Sequence, residues 1–333
     1  MLKLPDSWVW DSWYVFDGKQ YHAFYLRASR ALGNPDRRHR HVFVGHAISD
    51  DLTNWTTVAD AIAVSDSPAF DSWTTWTGSV VQADDGTWWM YYTGTSREDG
   101  GDIQSVGAAT SKDLMTWTKV SSEAMVKADP AWYETLDLSI WHDQAWRDPW
   151  VFRGDDGQWH MFITARAAEG EAFDRGVLGH ATSADMRNWT VQPPLTDAGA
   201  GWGQMEVFQV EVVDGLPTLL WCCGYRELSD AAKAKFGRGG MFSATGETVL
   251  GPFDLENATR FPHDSIYAAR IVKRGDGWFM LGFRDIEANG FVGEITDPIP
   301  VTSVKGVGLV PVTEERVDRK STRLNSSHIT ISY

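Results

Sequence analysis

Apolar and polar positions alternate along this chain in short runs punctuated by Asp-Gly pairs. Asp17-Gly18, Asp85-Gly86, Asp156-Gly157, Asp214-Gly215 and Asp276-Gly277 each precede a strand-like run of aromatic and aliphatic residues. Those runs are 21–25, 88–92, 159–162, 218–221 and 278–283. An Asp-Gly between two such runs predicts a hairpin turn, because glycine accepts the positive φ the turn needs. A second repeat is interleaved with the first. Gly45-His-Ala-Ile-Ser-Asp-Asp-Leu-Thr-Asn-Trp55 is matched by the segments 107–117 and 179–189, each ending in Trp, and in degraded form by Gly240–Thr245. Each copy reads as a strand, a Ser/Asp-rich turn and a short outer strand carrying Trp. Only Leu228–Phe236 has the pattern of a short helix. Five copies of a four-strand unit, recurring every roughly 65 residues, predict an all-β fold: a five-bladed β-propeller with a central funnel, over residues 1–312.

Composition narrows the function. The hydrophobic fraction of 43% and charged fraction of 23% are those of a soluble globular protein. A formal charge of −15 argues against a nucleic-acid surface and against attraction to anionic membranes. The basic run Arg37-Arg38-His39-Arg40-His41 reads as a solvated loop rather than a phosphate site. Cys222 and Cys223 are adjacent, so they form neither a disulfide framework nor a zinc site, and no metal or cofactor is called for. The opening residues lack a signal peptide, which predicts a cytoplasmic protein, or a secreted one if the start has been trimmed. Residues 313–333 change abruptly in composition, lack the repeat and are expected to be a non-native or disordered tail. The three Asn-x-Thr triplets, at Asn54, Asn188 and Asn257, read as structural.

The innermost strand of each blade should end at its hairpin turn, so residues some six to nine before each Asp-Gly should face the funnel. Counting back reaches Asp11 within Trp8-Val-Trp-Asp-Ser-Trp13, then Trp76-Thr-Gly-Ser79, Asp148, Glu206 and, at longer range, Asp264-Ser-Ile-Tyr267. Three of five blades thus present a carboxylate at matching places, which repetition alone does not require. Carboxylates converging in a funnel repel one another, and at least one pKa should rise. A glycosidase uses such a set: one ionised carboxylate as nucleophile or base and one protonated acid for the leaving oxygen. Each also has a structural alternative, with Asp11 capping a turn, Asp148 pairing with Arg147, and Glu206 as a rim charge.

These segments resemble the clan of glycoside hydrolase families 32 and 68, the invertases, levanases, inulinases and levansucrases. Val9-Trp-Asp-Ser-Trp13 is similar to the levansucrase nucleophile motif, Trp76-Thr-Gly-Ser79 to the clan's Trp-Ser-Gly-Ser, and Arg147-Asp-Pro149 to its Arg-Asp-Pro. Glu206 before Val207–Val213 resembles the acid/base motif, with Val207 where many invertases have Cys. His263-Asp-Ser-Ile-Tyr-Ala-Ala269 resembles the late Asp-x-Gly-x-x-Tyr-Ala segment less closely. The propeller-like sequence leaves no room for the C-terminal sandwich of family 32, and the chain is shorter than the usual levansucrase.

The resemblance implies Asp11 as nucleophile, Glu206 as acid/base and Asp148, oriented by Arg147, as stabiliser of the transition state. It also implies Trp10, Trp76, Trp146, Ser79 and Tyr267 as sugar contacts, although blade packing accounts equally well for the tryptophans. The expected activity is retaining β-fructofuranosidase action on sucrose or short fructans, with Asp11 and Glu206 carboxyls roughly 5–5.5 Å apart. The expected partner is this small sugar. Two alternatives are an inverting family 43-type arabinan or xylan hydrolase and a sugar-binding propeller without turnover. The segments 96–102 and 169–175 are candidate entrance loops or plain connections.

Overall fold

The computed structural model describes residues 1–312; the tail at 313–333 lies outside the described residues. Five antiparallel sheets form five blades. Blade I comprises Ser7–Phe16, Tyr21–Ser29, Phe43–Ser49 and Thr56–Thr57, and blade II Thr74–Gln82, Trp88–Thr95, Gln104–Ser111 and Thr118–Lys119. Blade III comprises Trp146–Arg153, Trp159–Arg166, Gly176–Ser183 and Thr190–Gln192. Blade IV contains Glu206–Val213, Leu216–Cys223, Gly240–Thr248 and Gly251–Phe253, with Thr259–Arg260 also pairing its third strand. Blade V runs through Ile266–Arg274, Gly277–Glu287, Ile299–Val304 and Gly308–Pro311, and Gly290–Ile295 pairs the far end of its second strand. Leu2 bridges Ile295, so the start of the chain clasps the last blade.

The repeats seen in sequence have distinct physical jobs. Gly18, Gly86, Gly157 and Gly215 all have positive φ in the inner hairpins. In the fifth copy the register differs: Gly275 takes positive φ, and Gly277 already belongs to the next strand. In the second repeat Asp51, Asp113 and Asp185 each accept backbone N–H groups two and three residues on. The next residues, Leu52, Leu114 and Met186, are buried at positive φ. Each Trp of this repeat sits just before the outer strand rather than in it, its indole donating to the carbonyl of that buried residue. The Asp thus satisfies the turn while the Leu or Met and the Trp pin it to the sheet.

The second strands of blades II and III, Trp88–Thr95 and Trp159–Arg166, are buried at every position. They lie between neighbouring blades and are covered on both faces, which is why they read as nearly continuous apolar runs. One core cluster extends from Trp13 and Phe24 of blade I through Met90 and Tyr92 of blade II to Ile271 and Met280 of blade V. The predicted helix is a short one, Asp230–Phe236, capped by Ser229 and ended by Gly237 in the left-handed region.

Every blade carries a register shift between its first two strands, and all five lie near one end of the ring. They fall between Val9 and Ser12, Trp76 and Gly78, Arg147 and Trp150, Glu206 and Gln209, and Tyr267 and Arg270. Asp148, Val207 and Ala268, at three of these bulges, have positive φ. A bulge leaves residues unpaired and re-aims side chains. Here the bulges contain or adjoin Asp11, Thr77, Asp148, Glu206 and Tyr267, the residues that meet at the funnel.

Candidate active site

Asp11, Asp148 and Glu206 line one cavity of about 550 Å³, together with Trp10, Trp76, Arg147 and Tyr267. Two predicted contacts are elsewhere. Ser79 is fully buried, and its Oγ accepts from the Val151 backbone N–H at 3.1 Å. It lies two residues further down its strand than Thr77, where the inner strands of blades II and III close on each other. Trp146 is also fully buried, packed edge-on against Tyr133 with ring centroids 4.7 Å apart. It precedes Arg147, and strand alternation sends the two side chains opposite ways. Both are structural rather than cavity contacts. Neither 96–102 nor 169–175 contributes to this cavity.

The carboxylates are held in place by a dense set of donors. Thr77 Oγ1 donates to Asp11 Oδ2. Arg147 Nη2 donates to Glu206 Oε1 at 2.6 Å, and its Nε lies 3.5 Å from Asp148 Oδ2, so one guanidinium bridges two of the three acids. Gln104 Oε1 in turn accepts from Arg147 Nη1 at 2.9 Å, which fixes the plane of the guanidinium. Tyr267 Oη donates to Glu206 Oε2 at 2.6 Å. Asp148 Oδ2 accepts from Thr164 Oγ1 at 2.9 Å, and the Asp148 N–H donates to Thr93 Oγ1 at the same distance.

Burial dominates the electrostatics. It lifts Asp11 from its ordinary 3.8 to about 6, with the Thr77 hydrogen bond opposing and the nearby Glu206 charge adding. It lifts Asp148 to about 7, against the pull of Arg147 and with the charges of Asp11 and Glu206 adding. Arg147 loses proton affinity through burial and regains more from Asp143, Glu206 and Asp148, so it stays charged. The expected mutual repulsion of the carboxylates is present, but desolvation outweighs it.

Several cavity residues escaped the sequence reading. Arg38 and His39 belong to the basic run expected to be a solvated loop. Instead Arg37–Arg40 belong to the 3₁₀ helix Pro35–Arg40, which contributes Arg38 and His39 to the cavity wall. The Arg38 guanidinium stacks 3.9 Å from the Phe291 ring centroid and 5.5 Å from that of Trp10, and its charge favours ionised Asp11. Arg37, His39 and His41 remain exposed, as a solvated loop would have them. Glu227, also in the cavity wall, is lifted to about 7 by burial and by the charge of Glu206. His142 and Glu227 also line a neighbouring open cavity of about 470 Å³ whose other walls include Trp141, Phe173, Leu138 and Ile140.

The family model for the glycosyl hydrolases family 32 N-terminal domain matches residues 11–270, from the first cavity carboxylate to blade V. The chain belongs to this family. It is 27% identical over 269 residues to an Arabidopsis thaliana β-fructofuranosidase, insoluble isoenzyme CWINV6. The match covers 75% of this chain and 45% of that protein, so the chain spans less than half of that relative's length. The family 32 fold is matched by the inulosucrase from Halalkalicoccus jeotgali bound to kestose, with a TM-score of 0.74 and 16% identity, over 94% of this chain and 91% of that one. Bacillus subtilis levansucrase superposes with a TM-score of 0.70 and 13% identity, over 93% and 87% of the respective chains.

Proposed function

We propose that this family 32 chain is a retaining β-fructofuranosidase acting on sucrose or short fructans. One observation carries the reading: bulges in three separate blades deliver Asp11, Asp148 and Glu206 to a single cavity, with Arg147 between two of them. Asp11 attacks the anomeric carbon of a fructosyl unit while Glu206 protonates the leaving oxygen. In the second half-reaction Glu206 takes the proton from the water or alcohol acceptor that attacks the ester, which releases Asp11. Asp148, fixed by Thr164 and Arg147, holds fructosyl hydroxyls against the oxocarbenium-like transition state. Trp10 and Trp76 form apolar walls for the ring. The similarity to a fructan 1-exohydrolase, a 6(G)-fructosyltransferase and an inulosucrase bound to kestose supports the substrate class.

The test is a panel of sucrose, raffinose, inulin, levan and arabinan, followed by product chromatography and proton NMR of the first-formed anomer. Fructose released with retained configuration from at least one fructoside is expected. Asp11→Asn and Glu206→Gln should each lower kcat by 10³-fold or more, on the order expected for a nucleophile or general acid, with the fold intact. Net inversion excludes the double displacement, and full activity in either variant ends the assignment.

A further inference from the structure

Below the three carboxylates lies a cation that the proposed chemistry does not use. Arg270, on the inner strand of blade V, is 1% exposed. Among the described residues no carboxylate lies within ion-pair distance of it. Its Nη1 donates to the carbonyls of Val207, at 3.3 Å, and of Phe208, the two residues left unpaired by the blade IV bulge. Its Nη2 reaches the carbonyl of Gly78, next to the Thr77 bulge of blade II, at 3.5 Å. Its guanidinium carbon sits 4.9 Å from the Trp150 ring centroid in blade III, and its Nε–H has no hydrogen-bond partner among the described residues. One buried guanidinium therefore contacts the inner strands of three other blades immediately under the site.

An unpaired buried cation is costly unless its charge is used nearby. Burial lowers Arg270 to about 10, and the charges of Asp148 and Asp11 draw it back, so it is ionised at neutral pH. Coupling between charges is reciprocal. We infer that Arg270 is a positioning residue: it caps the bulge carbonyls that aim Thr77 and Glu206, and its positive charge beneath the cavity floor favours the ionised forms of Asp11 and Asp148. This rests on the proposed roles of those two aspartates only for its catalytic meaning. The electrostatic claim stands on geometry: Val207, whose carbonyl accepts from Arg270, donates its N–H to Asp148 Oδ2 at 3.3 Å, and Gly78, whose carbonyl Arg270 also reaches, adjoins the Thr77 that donates to Asp11. The other charged or titratable groups facing the pair are Arg38 from the 3₁₀ helix, Arg147 from blade III, and Glu206 and Cys222 from blade IV. None of these groups is itself replaced by a substitution at position 270, and Arg270→Lys separates the charge of Arg270 from its geometry.

The test is a ¹³C NMR titration of protein labelled at aspartate carboxyls, with the two buried signals assigned by Asp11→Asn and Asp148→Asn. In Arg270→Gln both midpoints should rise by on the order of one pH unit, as for the loss of one nearby unit charge at an effective dielectric of about 20. The acid limb of kcat/KM on the best fructoside should move up with them. A purely structural arginine would lower Tm and leave the midpoints where they are, which would overturn the proposal. Arg270→Lys keeps the charge but reaches fewer carbonyls. It should lower Tm with midpoints within about 0.3 unit of the parent; a larger displacement there shows that geometry, not charge, sets them, and also overturns it. If the midpoints move as stated while Asp11→Asn still turns over sucrose at the parent rate, the catalytic reading fails and the electrostatic one survives.

Discussion

Replacing Thr77 by valine removes one hydroxyl and keeps the shape of the side chain. Thr77 is buried, and its Oγ1 donates to Asp11 Oδ2, the only side-chain hydrogen bond that Asp11 has among the described residues. A hydrogen bond to a charged group contributes about 1.5–3 kcal/mol. At about 1.4 kcal/mol per pKa unit, its loss should carry Asp11 from about 6 to roughly 7–8. The free-enzyme limb of kcat/KM reports that ionisation. For a midpoint near 7.5, the variant should fall roughly 20-fold below the parent at pH 5.5 and come within about twofold of it at pH 8.5. Initial rates of fructose release from pH 4.5 to 9, at substrate concentrations well below KM, give the ratio directly. Thr77→Ser restores the donor and should restore the limb. A loss by one constant factor at every pH would refute the reasoning, because it would mean that Thr77 acts through packing and leaves the charge of Asp11 alone.

Ser79→Ala should leave kcat and KM unchanged while costing about 1–3 kcal/mol in chemical denaturation, since the Val151 N–H loses its acceptor. Asp11→Asn should stabilise the fold. The folded-state pKa is raised from 3.8 to about 6, so the stability this group contributes at low pH is lost as pH rises through that window. Thermal unfolding should therefore show the variant about 1–3 kcal/mol more stable than the parent at pH 7.5, with the gain vanishing near pH 4. Gly78→Ala places a methyl 2.0 Å from the Tyr91 carbonyl oxygen in the adjacent strand, a backbone atom that cannot move aside. It should cost about 3 kcal/mol or more, read as a lower denaturation midpoint.

The propeller was legible because its local signals repeat. An Asp-Gly turn or a Ser-x-Asp-Leu turn states its own backbone conformation within a few residues, and five or three copies remove ambiguity. Asp11, Asp148 and Glu206 could be placed in the funnel by counting back from those turns. The errors came inside the motifs. Ser79 lies beyond the Thr77 bulge, deeper between the inner strands of blades II and III, and Trp146 takes the face opposite Arg147, which adjacency within a motif does not reveal. Arg38 and Glu227 were missed for a different reason. Each reaches the cavity from a short 3₁₀ helix between strands, Pro35–Arg40 and Tyr225–Glu227, where no periodicity announces the direction of a side chain.

The bulges connect the fold to the chemistry more closely than the carboxylates do. Each one frees backbone groups from the ladder at a buried depth, and those groups need partners. The second strand supplies one at the same place in three blades. Thr93 Oγ1 donates to the Thr77 carbonyl and Cys222 Sγ to the Glu206 carbonyl, while Thr164 Oγ1 accepts from the Val207 N–H of the next blade's bulge and donates to the Asp148 carboxylate. In a strand that is otherwise apolar, a small side chain with one hydrogen to give would ordinarily be a defect. Here it is what lets the inner strand bend, and the bend is what turns a carboxylate from the sheet toward the axis. Substituting the second-strand donor should therefore disturb its own blade's carboxylate first: Thr164→Val should move the titration of Asp148 while leaving that of Asp11 near its parent value, whereas a scaffold that merely tolerated the bulges would shift both or neither.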